Sequence, residues 1–397
     1  MDITIFPRKL SGKINAIPSK SQAHRILICA AFSDKPTVVI CSVVNQDIEA
    51  TADCLNALGA EIVRTEQGYT VSPIKSVPQT AELNCRESGS TLRFMLPVCA
   101  ALGVDATFHM AGRLPSRPLS PLWEELEAMG CSLSWCKNGA LHCSGKLKSG
   151  KYSIDGSVSS QFITGLMFAL ALLPGENQLN IIGKTESKPY IELTKEVFKI
   201  FGVNTDGTHF QNTSFSSPGK VTVEGDWSNG AFFVAANALG NDITICGLNP
   251  GSVQGDRAVQ IYTSALSENI TVYGEDIPDL IPILAVVAGA KQGATFENIG
   301  RLRIKESDRI ESVKAMLTAL SIYVLTGEDW MQVCPGLYES CTIDARNDHR
   351  IAMAAAIAST VTNGPVTILG AECVSKSYPD FWSDFKKLGG YYEQHIR

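Results

Sequence analysis

One pattern recurs six times along the 397 residues: a small polar cluster followed by a run of Ala, Leu, Ile, Phe and Met. The clusters begin near Lys20 (SKSQAHRILICAAF), Gly89 (GSTLRFMLPVCAAL), Ser159 (SSQFITGLMFALALL), Trp227 (WSNGAFFVAANALG), Asp279 (DLIPILAVVAGA) and Asp348 (DHRIAMAAAIAS), at intervals of 69, 70, 68, 52 and 69 residues. Each is followed by a more amphipathic helical stretch that stops at Gly59, Gly130, Gly202, Ser267, Ser321 or Gly389, between 39 and 43 residues after its cluster. A glycine just past a helical period suits a residue of positive φ. A period of this size makes a supersecondary unit the building block.

The two helix types dictate how such units pack. A helix that is apolar nearly all round must be buried, whereas Ile191-Glu192-Leu193-Thr194-Lys195-Glu196-Val197-Phe198 has one charged face and belongs outside. β-branched runs such as Thr37-Val38-Val39-Ile40 and Asp242-Ile243-Thr244-Ile245 read as strands between them. The expected fold class is α/β (α+β), an inside-out arrangement of six βαβαββ units, three per domain, with inner helices at the centre. The short fourth interval and the Gly/Ser-rich stretch 204–220 place the main boundary near 205–226.

Composition excludes several classes. With 45% hydrophobic and 19% charged residues the chain is an ordinary globular one, and its longest apolar stretches fall short of a bilayer span. No basic or apolar leader opens the sequence, so a cytoplasmic protein is expected. A net charge of −6 speaks against a nucleic-acid-coating surface, and no nucleic-acid or membrane partner is expected. Of the twelve cysteines, Cys29, Cys54, Cys99 and Cys246 sit singly in apolar runs, as core thiols do. Cys131, Cys136 and Cys143 form the nearest grouping, without zinc spacing. His109, His142, His209 and His395 have no evident partner and read as surface or structural residues.

The polar clusters mark the N-termini of buried helices, where free N–H groups and the positive dipole end favour anions. Ser19 with Gln22 reads as a capping box, leaving Lys20, Ser21 and Arg25 on the opening turns. Glu87-Ser88-Gly89-Ser90-Thr91 leads into a helix carrying Arg93; Ser159-Ser160-Gln161 and Asn347-Asp348-His349-Arg350 open two others. Ordinary capping explains any one of these clusters. It does not explain cations at an N-terminus, which the dipole disfavours unless an anion lies between. Arg303-Ile304-Lys305-Glu306-Ser307-Asp308-Arg309 is the densest charge run. It reads either as a solvated face or, with Asp308 and Glu311 as a capping box, as a phosphate clamp with an acid/base group. Asp279, after Pro278, fits equally an N-cap and a functional carboxylate. No P-loop, dinucleotide fingerprint or nucleophile elbow competes.

These residues resemble the 5-enolpyruvylshikimate-3-phosphate (EPSP) synthase family of enolpyruvyl transferases along essentially the whole chain. The marks are Pro18-Ser19-Lys20-Ser21 with Arg25, Ser88-Gly89 with Arg93, Arg117-Pro118-Leu119, Ser159-Ser160-Gln161 and Ser187-Lys188-Pro189-Tyr190. Further along come Pro278-Asp279, Arg303-x-Lys305-Glu306-x-Asp308-Arg309, Asn347-Asp348-His349-Arg350 and Lys376-x-x-Pro379-Asp380. The resemblance implies two three-unit domains, 14–225 and 1–13 with 226–397, the first strand crossing to the C-terminal half and the active site in the interdomain cleft. It implies transfer of the enolpyruvyl group of phosphoenolpyruvate to the 5-hydroxyl of shikimate 3-phosphate, with release of phosphate, through a tetrahedral intermediate and without metal or cofactor.

Residue by residue, the resemblance makes Asp279 the base for the hydroxyl and Glu306 the proton-transfer group at the methylene, with Lys20 assisting. Lys20, Gly89, Arg117, Gln161, Arg309, Arg350 and Lys376 would bind phosphoenolpyruvate. Lys20, Ser21, Arg25, Ser159, Ser160, Gln161, Ser187, Asp279 and Lys305 would bind shikimate 3-phosphate. Cations from both halves would then serve one ligand, so closure on binding and a monomeric enzyme are expected. Glu87, Ser90 and Arg301 depart from the family's usual residues and bear on affinity and on sensitivity to glyphosate. The alternatives are a transferase acting on UDP-N-acetylglucosamine, which uses a loop cysteine, and a non-catalytic anion-binding relative, which would lack the acid/base pair.

Overall fold

The computed structural model of the protein describes residues 1–211 and 214–395. Its helices alternate as the two types require. In chain order they are α1 Lys20–Ala31, α2 Gln46–Ala57, α3 Gly89–Leu102, α4 Leu122–Ala128, α5 Ser160–Leu172 and α6 Lys188–Ile200. They continue as α7 Trp227–Ala238, α8 Val259–Ala265, α9 Ile281–Ala290, α10 Arg309–Ala319, α11 His349–Ala358 and α12 Phe381–Lys387. The odd-numbered helices are the six apolar runs, and α11 is buried at all ten positions and α9 from Ile281 to Gly289. On α6 burial is confined to a stripe of Ile191, Leu193, Thr194, Val197 and Phe198, leaving its charges outward.

The even-numbered helices end at the six expected stops. Gly59, Gly130, Gly202, Gly389 and Ser321 take positive φ, and Ser267 does not. Local capping starts several of the inner helices: Ser19, Ser88, Ser159, Asp226 and Asp348 each accept from a backbone N–H of the first turn. Helix α9 is different, because its N-cap is Leu280 and no side chain caps it.

The chain divides into two compact units, Pro18–Glu224 and Met1–Ile17 with Gly225–Arg397. Within the first, strands Thr80–Asn84, Asp105–His109, Leu141–Gly145 and Cys131–Trp135 lie in that order across a sheet. The first pair is parallel, as a crossover through α3 requires, and the hairpin adds antiparallel. A second sheet repeats this order with Lys220–Thr222, Thr37–Ile40, Gly68–Ser72 and Glu61–Thr65. Its first strand comes from the far end of the unit, which ties the unit's ends together. A three-stranded sheet of Lys151–Asp155, Glu176–Ile182 and His209–Gln211 completes it.

The other unit has the same plan. Ile270–Tyr273, Ala294–Glu297, Trp330–Val333 and Val324–Thr326 form one sheet. In another, Asp2–Phe6 fills the position between Val366–Leu369 and Tyr391–His395. Ser11–Asn15 pairs parallel with Asp242–Cys246. Six complete βαβαββ units are therefore more than the described residues show, since two sheets have three strands and two. The fourth repeat is short by the length of a hairpin, and α8 leads almost directly to the strand at Ile270.

The inner helices α3 and α5 approach closely at Gly165, where a Cβ would collide with the Arg93 carbonyl. Among the described residues no helix is long and apolar enough to cross a membrane. The twelve cysteines are free thiols, Cys29, Cys54 and Cys99 buried and Cys246 partly so. The four histidines without evident partners do have them: His109 meets Glu82, His142 Asp105, His209 Asp206 and His395 Thr4. Three of the four are cross-strand neighbours, a pairing that only sheet register creates.

Candidate active site

In the unit Pro18–Glu224 the polar clusters open α1, α3 and α5. Ser19 Oγ accepts from Gln22 N at 3.4 Å, but Gln22 does not return the bond. Its Oε1 accepts from Glu224 N at 2.7 Å, so the capping box is half made. Lys20 Nζ lies 2.8 Å from Asp47 Oδ2, with both side chains under a fifth exposed. Asp47 was not evident from sequence as a site residue, because a first-turn acid on α2 looks like a response to the helix dipole.

Arg25 is 2% exposed and held on every side. Nε donates to Thr194 Oγ1 at 2.8 Å, Nη1 to Ser21 O at 2.6 Å, and Nη2 to Tyr190 O at 3.0 Å and Thr164 Oγ1 at 3.3 Å. Burial lowers it to about 10. Beside it, His24 Nδ1 meets Thr51 Oγ1 at 2.7 Å, and the bonds continue through Thr91 Oγ1 to Ser88 Oγ. Burial, with Lys20 and Arg25 nearby, pushes His24 well below its ordinary value, so its imidazole is neutral.

The backbone at the start of α3 is exposed to two guanidinium groups. A Cβ at Gly89 would stand 2.7 Å from Arg93 Nη1 and 2.8 Å from Arg117 Nη1, so a larger residue would push the two guanidinium groups aside. Arg93 Nη1 donates to Gln161 Oε1 at 3.0 Å and Nη2 to Pro118 O at 3.1 Å, while Gln161 Nε2 donates to Ser90 Oγ at 2.9 Å. Gln161 thus bridges the openings of α3 and α5. Ser159 and Ser160 are buried there, and Ser187, at φ 54°, precedes α6 with its side chain almost wholly covered.

In the other unit the carboxylates gather around one guanidinium. Arg309, 1% exposed, donates from Nε to Asp348 Oδ2 at 2.9 Å, from Nη1 to Asp279 Oδ1 at 2.7 Å and from Nη2 to Glu306 Oε2 at 2.6 Å. Burial alone would raise Asp279, but Arg350, Lys305 and Arg309 outweigh it and hold the carboxyl well below the usual range. Asp279 is therefore not the cap of α9; its oxygens are turned to Arg309 and, at 3.4 Å, to Arg350. Asp348 is both the N-cap of α11 and the innermost partner of Arg309, a double use hidden in the sequence.

Arg350 donates from Nη1 to Ser228 O and from Nη2 to Ser228 Oγ, both at 2.7 Å. Burial lowers Lys305 to about 8, against the pull of Asp279. Lys376 Nζ donates to Asn347 O at 3.0 Å. Arg303 is separate: it binds Asp308 Oδ2 at 2.9 Å and the carbonyls of Glu328 and Gly327, so it braces the turn before α10. Within the charge run Arg303 thus braces a turn, whereas Glu306 and Arg309 belong to the carboxylate–guanidinium cluster and Lys305 lies in the field of Asp279. Of the residues that sequence did not single out, Ser228 and Asp256 belong to this cluster; neither carries a local signal.

Cations do stand at the dipole's unfavourable ends, and each has a nearby acid: Asp47 for Lys20, Asp279 for Arg350. What the two groups of residues can do is hold anions at Lys20, Gly89, Arg93 and Arg117 in one unit and at Lys305, Arg350 and Lys376 in the other. Asp279 and Glu306 offer paired carboxylates for proton transfer.

The family model of EPSP synthase (3-phosphoshikimate 1-carboxyvinyltransferase) matches residues 6–385. The 3-phosphoshikimate 1-carboxyvinyltransferase of Clostridium beijerinckii is 37% identical over 431 residues, covering 99% of this chain and 98% of its own length. That of Clostridioides difficile is also 37% identical, covering 98% and 97%. Among solved structures, EPSP synthase from Acinetobacter baumannii superimposes with a TM-score of 0.80 at 22% identity over 99% of this chain and all of its own. The enolpyruvyl transferase NikO from Streptomyces tendae does so at 0.73 and 15%, over 100% and 99%. At those identities the structural likeness speaks for the fold alone.

Proposed function

The chain belongs to the EPSP synthase family, and from that premise we propose which of its residues carry out the family's reaction. The enzyme transfers the enolpyruvyl group of phosphoenolpyruvate to shikimate 3-phosphate in the shikimate pathway and releases phosphate. The observation that carries the residue assignment is the single buried guanidinium of Arg309, which binds Asp279 and Glu306 at once and so fixes two carboxylates side by side.

In this reading Asp279, kept ionised by three cations, takes the proton of the 5-hydroxyl as it attacks the central carbon of phosphoenolpyruvate. Glu306 delivers a proton to the methylene carbon, and Lys20 assists. In the elimination half the tetrahedral intermediate loses that proton again and expels phosphate. Negative groups beside the carbon that becomes cationic in both halves lower its energy. Lys20, Gly89, Arg117, Gln161, Arg309, Arg350 and Lys376 hold phosphoenolpyruvate. Ser21, Arg25, Ser159, Ser160, Gln161, Ser187 and Lys305, with Lys20 and Asp279, hold shikimate 3-phosphate. The assignment draws on both units, with domain limits at 14–225 and at 1–13 with 226–397, and the enzyme acts as a cytoplasmic monomer.

Arg25 supports the assignment in particular. Four protein groups hold four of its five N–H donors, which fixes the guanidinium and leaves one Nη1 N–H, with the positive charge, for a phosphate. The test is phosphate release from phosphoenolpyruvate in chelated buffer with and without shikimate 3-phosphate. Release that depends on both is expected; release without shikimate 3-phosphate, or none with both bound, would overturn it.

A further inference from the structure

A buried chain of hydrogen bonds joins three helices of the unit Pro18–Glu224 and takes no part in the chemistry above. His24 on α1 meets Thr51 on α2, Nδ1 to Oγ1, at 2.7 Å. Thr51 Oγ1 lies 2.7 Å from Thr91 Oγ1 on α3, and Thr91 Oγ1 donates to Ser88 Oγ at 2.7 Å. All four side chains belong to residues that are 0% exposed. Ser88 is the N-cap of α3 and also accepts from Thr91 N at 3.2 Å.

Each hydroxyl has one hydrogen to give, and that count sets the direction of the whole chain. The Thr91 hydrogen is aimed at Ser88 Oγ, with the Asp47 carbonyl as a second acceptor at 3.4 Å. Thr91 must then accept from Thr51. Thr51 has no hydrogen left for His24 and accepts from it, so His24 carries its proton on Nδ1. The other ring nitrogen agrees. Nε2 is buried with no hydrogen-bond partner among the described residues, and an N–H there would be an orphaned donor, the rarer defect in folded proteins. Burial, and then the charges of Lys20 and Arg25, keep the ring neutral, so no second proton occupies Nε2.

The chain runs one helical turn below residues assigned to the anion. Lys20 precedes His24 by four residues on α1, and Asp47 precedes Thr51 by four on α2, so each pair shares a helix face. The Lys20–Asp47 ion pair and the His24–Thr51 bond are therefore two rungs between the same helices, one turn apart. Phe94 ties α1 to α3 again, its ring perpendicular to that of His24 and its centre 5.2 Å from the Arg25 guanidinium carbon. At α3 the chain ends on the cap that presents Gly89.

We propose that His24, as its Nδ1–H tautomer, is a positioning residue for the anion site: by donating to Thr51 it fixes both Lys20 and the cap before Gly89. This rests on the reading of Lys20 and Gly89 as ligands of phosphoenolpyruvate. Without that donor the one-way order is lost. Either threonine can then give its hydrogen to the other, and Ser88 loses a donor whenever Thr91 turns to Thr51. The start of α3 samples more than one arrangement, and a ligand that needs one of them binds less tightly.

Histidine-selective 15N labelling reads the tautomer directly, because the chain has six histidines and His24→Asn identifies the signal. A protonated Nδ1 with a bare Nε2 is expected at pH 7, and an Nε2–H signal would overturn the proposal. Steady-state turnover tests the positioning. The amide of Asn places an N–H where imidazole has Nδ1, whereas Phe keeps a ring and offers no donor. His24→Phe is expected to raise KM for phosphoenolpyruvate about 10-fold, the size of one buried hydrogen bond, and His24→Asn to restore most of the affinity. Packing alone would rank the two the other way, since Phe fills the site and Asn leaves a gap. A wild-type KM in His24→Phe, or a KM in His24→Asn no better than that of His24→Phe, would overturn the proposal. Should the His24 variants fail to fold, Thr51→Val removes the middle hydroxyl at nearly the same shape and identifies the His24 signal by its shift. A similar rise in KM is expected there, and the wild-type value would overturn the proposal. A wild type that binds neither substrate would overturn the reading of the site together with this role. An active wild type with an Nε2–H at His24 would overturn this role alone.

Discussion

Arg309 donates from Nη1 to Asp279 Oδ1 at 2.7 Å while its side chain is 1% exposed, so the candidate base is anchored from inside the protein. A base held this way cannot reorient, and its ionised form is favoured at all pH values near neutrality.

Asp279→Ala and Glu306→Ala are each expected to reduce turnover by at least about 100-fold, the range of a general acid or base, while shikimate 3-phosphate still binds. Steady-state phosphate release and calorimetric titration check the two halves of the statement. Full turnover in either variant would sink its assignment.

Arg309→Met leaves Asp348 buried without its main counter-charge, since that side chain is 0% exposed. Removal of one member of a buried ion pair costs about 3–5 kcal/mol. Urea denaturation should show a lower midpoint with an unchanged slope. A midpoint equal to that of the wild type would mean the Arg309 network contributes nothing net.

Gly165→Ala places a methyl against the Arg93 carbonyl and Pro97 ring at the α3–α5 crossing. Overpacking of a tight core costs about 1–3 kcal/mol. Because Arg93 also holds Gln161, affinity for phosphoenolpyruvate should weaken together with the thermal midpoint. A fall in stability with unaltered affinity would separate the two.

Desolvation of the half-buried Lys305 ammonium lowers it to about 8. Affinity for shikimate 3-phosphate should therefore fall as pH rises through 8, and Lys305→Arg should flatten the profile. The stability effect has the opposite sense. Between about 8 and its ordinary 10.5 the unfolded lysine holds a proton the folded one lacks, so this group makes the fold more stable as pH rises across that window. Affinity constant to pH 9.5 would remove Lys305 from the site.

The repeat was legible in sequence because its signals are local. Apolar runs in α5 and α9 predict buried helices, Ser19, Ser88 and Asp348 mark their starts, and Gly59 or Gly389 their ends. Each depends on backbone and side-chain geometry within a few residues. The same local logic could not decide between cap and functional carboxylate at Asp279, which caps no helix, and it misled at Gln22, whose amide serves Glu224 instead of its own helix.

Sequence by itself determined the helix alternation, the helix ends and, through nine motifs, the kinship and chemistry of the chain. Tertiary structure alone decided which charges meet. Thr194 reaches Arg25 across 169 residues, Gln161 reaches Arg93 across 68, and Asp348 reaches Arg309 across 39. Asp47 and Ser228 acquire their roles only there. A cap or a stop is satisfied by the nearest backbone, and so it is written locally. A buried charge is satisfied by whichever element the packing brings within hydrogen-bond distance, and no local pattern records that.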